Sequence, residues 1–392
     1  MTTAAIDIHG TCDPKFSRVK DAFAENWTKH GEVGASLSVV ADGETVVDLW
    51  GGSADAAGTR PWERDTICNT YSTTKGITTI CAHRLVDEGL LDVDAPVVKY
   101  WPEFGQAGKE SVTVKQLLSH RAGLPAMREF LPANHGYNWE LVTGKLAATE
   151  PWWEPGTRHG YHAVTFGWLV GEVIRRISGK SVGTYWRDEL AQPLGIDFHI
   201  GLAEEHDSRV AEMIPFPMQE MAPDHPMASV MLDPNSMNFR AFMLVPEALQ
   251  PGFVNTREWR AAEIPAANGH GNARALARIY GALAAGGTLE GQRVLSPRTI
   301  TAATVEQSWG EDAVLMLPTR FGLGFMLDYP DGEMQISPTG KIFGHAGMGG
   351  SFGFADPEAR IGIGYTMNKM LVSYSEMDPR WAGMIPAIYG SL

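Results

Sequence analysis

The segment Ser72-Thr73-Thr74-Lys75 sets a hydroxyl and an amine three residues apart, and Lys75 is the only formal charge between Cys68 and Ala82. Small and apolar neighbours predict a buried helix that runs through Leu85 and Val86 and stops at Gly89. Side chains three apart on a helix share a face and can touch. A lysine sequestered from water loses affinity for its proton, and a neutral amine beside a serine can activate the hydroxyl as a nucleophile.

A second match to the same spacing, Ser17-Arg18-Val19-Lys20, fails on its surroundings. Phe16, Val19, Phe23 and Trp27 mark the apolar stripe of an amphipathic helix, which leaves Ser17 and Lys20 largely on the solvated side. Spacing and burial alone leave a catalytic and a structural reading of Ser72 both open.

Other groups could complete a reaction. Tyr161 lies in the Gly-rich stretch Pro155 to Ala163 just ahead of a helix, where a phenol close to a neutral lysine could relay a proton. Glycines at 344, 347, 349 and 350 permit close backbone approach, and an N–H there could stabilise an oxyanion. His345 precedes that stretch and could bind substrate or fill a polar niche. Gly349-Gly350-Ser351-Phe352-Gly353 fits the nucleophile elbow, but an elbow needs a strand, a sharp turn and a helix. Here Asp356-Pro357-Glu358-Ala359-Arg360 turns into the alternating run Ile361 to Tyr365, which predicts a hairpin and demotes Ser351. Glu204, Glu205, His206 and Asp207 read as a solvated turn, not a metal site, and His83, His120 and His270 as structural.

The elements that must hold these groups follow from pattern. Two strand-like runs, Ala35–Val40 and Thr45–Trp50, flank Asp42-Gly43 and predict a hairpin after a helix at Pro14–Trp27. Helices are expected at Val112–His120 with Thr113 as cap, Thr165–Ile177 and Asn272–Ala285. Extended runs at Phe321–Leu327, Lys341–Phe343, Ser351–Ala355 and Ile361–Met367 precede a closing helix at Met384–Tyr389. Strands at both ends around a helical middle predict an α+β fold with a cleft at the junction. The expected division is 1–65 with 265–392 as the sheet domain and 66–264 as a mainly helical domain carrying Ser72, Lys75 and Tyr161.

A net charge of −14 argues against nucleic acid or an anionic membrane surface as partner, since both select basic patches. Three cysteines, Cys12, Cys68 and Cys81, make no disulfide framework or zinc pattern. With no apolar run of membrane-spanning length and no basic-then-apolar leader in Met1–Gly10, the expectation is a cytoplasmic protein.

Taken together, Ser72-Thr73-Thr74-Lys75, Leu117 to Leu124, Tyr161-His162-Ala163 and His345-Ala346-Gly347 resemble the family VIII carboxylesterases of the serine β-lactamase and penicillin-binding-protein superfamily, closest to class C β-lactamases. The resemblance spans about residues 20 to 390. It implies a β-lactamase-like fold, with an antiparallel sheet flanked by terminal helices and an inserted helical domain. It further implies an acyl-enzyme on Ser72, Lys75 as activating partner and Tyr161 as general base and then acid. The oxyanion hole would be the backbone N–H groups of Ser72 and Met348, with His345, Gly347 and Gly349 contacting substrate. No metal or cofactor is implied. Two departures favour uncharged esters: Ala163 stands where the β-lactamase motif has asparagine, and His345-Ala346-Gly347 replaces its Lys-Thr/Ser-Gly. The expected reaction is hydrolysis of a small, short-chain ester, with β-lactamase or D,D-peptidase activity, acyl transfer and non-catalytic binding as alternatives. Trp152, Trp153, Trp309, Phe321 and Tyr329 are candidates for an acyl pocket or for core.

Overall fold

The computed structural model describes residues 6–132, 135–216, 230, 233–243, 250, 252–332, 334–371 and 377–392. From the N-terminal end come β1 (Ile8–Cys12), β2 (Gly34–Ala41) and β3 (Glu44–Gly52). From the C-terminal part come β4 (Ser308–Glu311), β5 (Pro318–Phe321), β6 (Met326–Leu327), β7 (Phe343–Ala346), β8 (Phe352–Asp356) and β9 (Ile361–Met367). They form one nine-stranded sheet in the order β1-β3-β2-β9-β8-β7-β6-β5-β4, with neighbouring strands antiparallel. The chain ends thus meet at the β2–β9 seam.

The β2–β3 hairpin turns where Asp42-Gly43 predicts it. Asp42 and Gly43 have φ of 49° and 88°, the two positive angles of a turn that matches strand twist. The extended run at Phe321–Leu327 is instead broken into β5 and β6, because Gly324 (φ 91°) turns the chain and the Gly322 N–H donates to the Phe325 carbonyl. The expected strand Lys341–Phe343 lies two residues later, and the closing helix begins at Pro379, capped by the Asp378 carboxylate.

The longer helices are α1 (Ser17–Lys29), α2 (Thr74–Asp87), α3 (Thr165–Ser178), α4 (Ala273–Ala284) and α5 (Pro379–Tyr389). Strand alternation sends successive side chains to opposite faces. Phe352 and Tyr365 meet Trp381 of α5 and Phe23 of α1, while Gly353, Gly362 and Gly364 face α4. Those glycines are needed for that approach: a Cβ at Gly362 would sit 2.0 Å from the Gly281 backbone nitrogen.

In the chain between the two sets of strands, α2 packs against α3. α3 buries Phe166, Trp168, Leu169, Val170, Val173 and Ile174 and ends at Gly179 in the left-handed region. Thr113 caps Val114–Leu118 in a reciprocal pair with Gln116. A small sheet pairs Cys68–Asn69 and Phe198–His199 with His270–Gly271 and delivers the chain into the start of α2.

Candidate active site

Ser72 lies ahead of α2, not on it, which corrects the expectation of one helical face. The chain leaves the small sheet through Tyr71, which has a positive φ of 44°. Backbone bonds then close from Thr73 to Thr70, Thr74 to Tyr71 (3.0 Å) and Lys75 to Ser72 (2.9 Å), an i to i+3 pattern that leads into the helix. Such a turn has three residues per revolution, so positions i and i+3 eclipse. The spacing therefore still brings the two side chains together, with Lys75 Nζ 3.0 Å from Ser72 Oγ.

Lys75 is fully buried. Its amine also donates to the carbonyls of Ala163 (2.7 Å) and Ala266 (2.9 Å). Burial holds its pKa well below the usual lysine value. A neutral amine has two N–H groups and one lone pair; the two carbonyls take the hydrogens, which leaves the lone pair facing Ser72. Ser72 itself is partly exposed, so the hydroxyl looks out from a buried base.

Tyr161 comes from a loop far along the chain, with its ring 4.7 Å from Lys75 Nζ and its phenol near enough to Ser72 to feel it electrostatically. Burial pushes the phenol above its ordinary range; Ser72 works against this and the Asp312 charge adds to it. The resting phenol therefore keeps its proton.

His345 on β7 stacks on Tyr161 with ring centres 6.1 Å apart. Its Nδ1 is 2.6 Å from the Ala346 carbonyl, and its buried Nε2 has no partner among the described residues. Burial pushes its pKa down to about 3. An uncharged imidazole thus stands on the strand against the Tyr161 ring. His120 and His162 behind Tyr161 are likewise buried and held neutral, His162 at about 3. His120 Nδ1 accepts from the His162 N–H, a structural use, as for His83 on the Leu323 carbonyl and His270 on the Asn268 carbonyl.

The stretch after β7 seats against the turn that carries Ser72. A Cβ at Gly347 would lie 2.2 Å from the Thr70 carbonyl oxygen, so only glycine fits there. Ser351 is buried, with Oγ donating to the Thr70 carbonyl (2.8 Å) and 3.0 Å from Thr73 Oγ1. It ties down the turn and is followed by the β8–β9 hairpin. No described residue accepts a hydrogen bond from the backbone N–H of Ser72 or of Met348, both of which lie outside the helices and strands. The Gly349 carbonyl is held by the buried Arg380 guanidinium, which also binds Asp378 and Glu32.

Among the aromatics, Phe321 stacks parallel on Tyr161 at 6.0 Å, and Trp152 packs on the same apolar cluster. Trp309 and Tyr329 pack on each other at the β4 edge of the sheet, away from Ser72. Asp207, in the acidic turn, pairs with Arg257 and Arg260. Among the described residues, no three His, Cys, Asp or Glu side chains cluster as metal ligands. Asp312, whose carboxylate accepts from the Tyr161 backbone, carried no sequence signal: its partner is 151 residues away and its own neighbourhood reads as an edge-strand turn.

A seryl hydroxyl against a buried amine whose proton affinity is lowered by burial, at the head of a helix beside an antiparallel sheet, is the constellation of serine hydrolases that use lysine as base. The chain belongs to the Beta-lactamase family, which matches residues 19–382. It is similar over nearly its whole length to a crystal structure described as a family VIII carboxylesterase, with 45% identity, 99% of this chain and 100% of that one covered and a TM-score of 0.89. A penicillin-binding protein homologue from Caulobacter crescentus is 40% identical, with a TM-score of 0.87 and 98% and 100% of the two chains covered. Among curated relatives, the "Esterase/beta-lactamase LipL" of Mycobacterium tuberculosis is 38% identical over 93% of this chain and 83% of its own.

Proposed function

We propose that this chain is a serine carboxylesterase that hydrolyses short-chain acyl esters through an acyl-enzyme on Ser72. The observation that carries the reading is the hydrogen-bond set of Lys75, whose two carbonyl partners leave the amine lone pair for the Ser72 hydroxyl. The family VIII carboxylesterase and esterase relatives supply the substrate class.

In the proposed cycle Ser72 Oγ attacks the acyl carbon while its proton passes to Lys75 Nζ. The carbonyl oxygen becomes an oxyanion facing the N–H groups of Ser72 and Met348, with the α2 N-terminus adding positive potential. As the tetrahedral intermediate collapses, the C–O bond to the alcohol breaks and Tyr161 gives that oxygen a proton, which Lys75 then restores to the phenol. Water attacks the acyl-enzyme by the same route in reverse, releasing the acid and Ser72.

Two features support a neutral substrate. The imidazole of His345 is uncharged where the resembled β-lactamase motif has a lysine, and Ala163 contributes only a backbone carbonyl. A second reading, β-lactam hydrolysis at the same serine, is favoured by the mycobacterial relative's name, which joins the two activities. The division of the chain into 1–65 with 265–392 and an inserted 66–264 belongs to the same proposal. So does a cytoplasmic setting, in keeping with three free cysteines.

The test is covalent. A fluorophosphonate should add to Ser72, mapped by mass spectrometry, and folded Ser72→Ala should lose both labelling and turnover of p-nitrophenyl acetate. Retained turnover in that variant would overturn the assignment. Nitrocefin hydrolysis at rates matching the ester would promote the second reading.

A further inference from the structure

Tyr161 belongs to neither helix nor strand, yet the proposed cycle needs its phenol oriented closely. Its loop is held from two sides. On one, the Gly160 N–H donates to the His120 carbonyl (3.0 Å) and the His162 N–H to His120 Nδ1 (3.1 Å). On the other stands Asp312, fully buried in the turn between β4 and β5.

Oδ1 of Asp312 accepts three backbone N–H bonds, from Tyr161 (2.9 Å), Val314 (2.8 Å) and Leu315 (2.9 Å). Two of these close its own turn, and the third reaches across the fold to the tyrosine. Oδ2 accepts from Thr319 Oγ1 (3.0 Å), which is 3.0 Å from Nε2 of His159, two residues before Tyr161. The Ala313 N–H also donates to the His159 carbonyl (3.1 Å). Charge-assisted bonds are roughly twice as strong as neutral ones, so this carboxylate is the firmest fixture of the Tyr161 backbone. The segment it secures, Val314 with partly buried Leu315, packs in the apolar cluster that also contains Tyr161 and Phe321.

We propose that Asp312 is a positioning residue for the Tyr161 phenol, acting on turnover through that tyrosine alone. This rests on the role given to Tyr161 above. Since Asp312 contacts the tyrosine backbone and not the substrate, removing it should misplace the proton relay and spare substrate binding. Misplacement by about an ångström can cost about a hundredfold in rate.

The experiment is a double-mutant cycle in the full chain, with p-nitrophenyl acetate kinetics and thermal melts. Asp312→Ala should lower kcat by roughly a hundredfold and change KM by less than about threefold. Asp312→Asn keeps an amide oxygen for the N–H donors but only neutral bonds, and should lose about tenfold. In a Tyr161→Phe background either change should cost less than about twofold more, because the group through which Asp312 acts is already gone. Equal losses in both backgrounds, or wild-type kcat in Asp312→Asn, would overturn the proposal. If Asp312→Ala does not fold, the asparagine variant decides. Full turnover in Tyr161→Phe alone would instead sink the role of Tyr161 itself.

Discussion

Replacing Lys75 by methionine removes the proposed base while keeping most of its volume. Two effects separate. The carbonyls of Ala163 and Ala266 lose their donors. Each buried unpaired carbonyl costs about 1–3 kcal/mol, partly offset by burying a thioether in place of an amine. Against that loss, the variant no longer has to deprotonate a buried amine on folding, so its Tm at pH 7 should fall by less than the two carbonyls alone would cost. A general base contributes about 10²–10⁴-fold, and Lys75 also reprotonates Tyr161, so acylation should slow by about 10³-fold, roughly 4 kcal/mol of barrier. Stopped-flow release of p-nitrophenol measures that step directly. The wild-type acylation rate should also rise with pH as the amine loses its proton, and Lys75→Met should lack that limb. The sign for stability runs the same way. Since the folded pKa lies below that of the unfolded chain, the unfolded state binds more protons between the two values, and stability rises with pH across that window. A folded Lys75→Met protein that acylates within about tenfold of wild type would refute the reasoning, because Lys75 is the proposed acceptor of the Ser72 proton.

Three further outcomes are expected. His162, His270 and His345 are each pushed down to about 3 by burial, so their neutral-state stabilisation is complete above pH 6.5 and lost as pH falls towards 3. At pH 5 each should cost about 2 kcal/mol, and a Tm that stays flat from pH 7 to pH 5 would contradict it. Ser351→Ala should label normally with the fluorophosphonate while losing about 1 kcal/mol of stability from one lost hydrogen bond to the Thr70 carbonyl, which keeps its bond from the Thr73 N–H, whereas loss of labelling would return Ser351 to candidacy. Gly347→Ala would set a methyl 2.2 Å from the Thr70 oxygen and should displace the turn that carries Ser72, with turnover falling at least about tenfold; unchanged kcat/KM would show that the turn yields without consequence.

Local chemistry was legible in the sequence by itself. Asp42-Gly43 carries the hairpin, Thr113 a helix cap, and Ser72 and Lys75 their contact, because each depends on residues within a few positions of one another. The turn after Ser351 likewise exposed the false nucleophile elbow. The α+β class followed from strands at both ends, since a strand must find partners and the ends were the places that offered them.

Tertiary structure alone decided the rest. Ser72 stands off the helix because a pairing with residues near 270 fixes where the chain enters it. Asp312, Arg380 and the carbonyls that hold Lys75 are tied to the site by contacts across long stretches of chain, which leave no periodicity to read. The state of the amine and of the surrounding imidazoles was set the same way. A lysine or histidine has an ordinary pKa in sequence, and only the exclusion of water by packed neighbours shifts it.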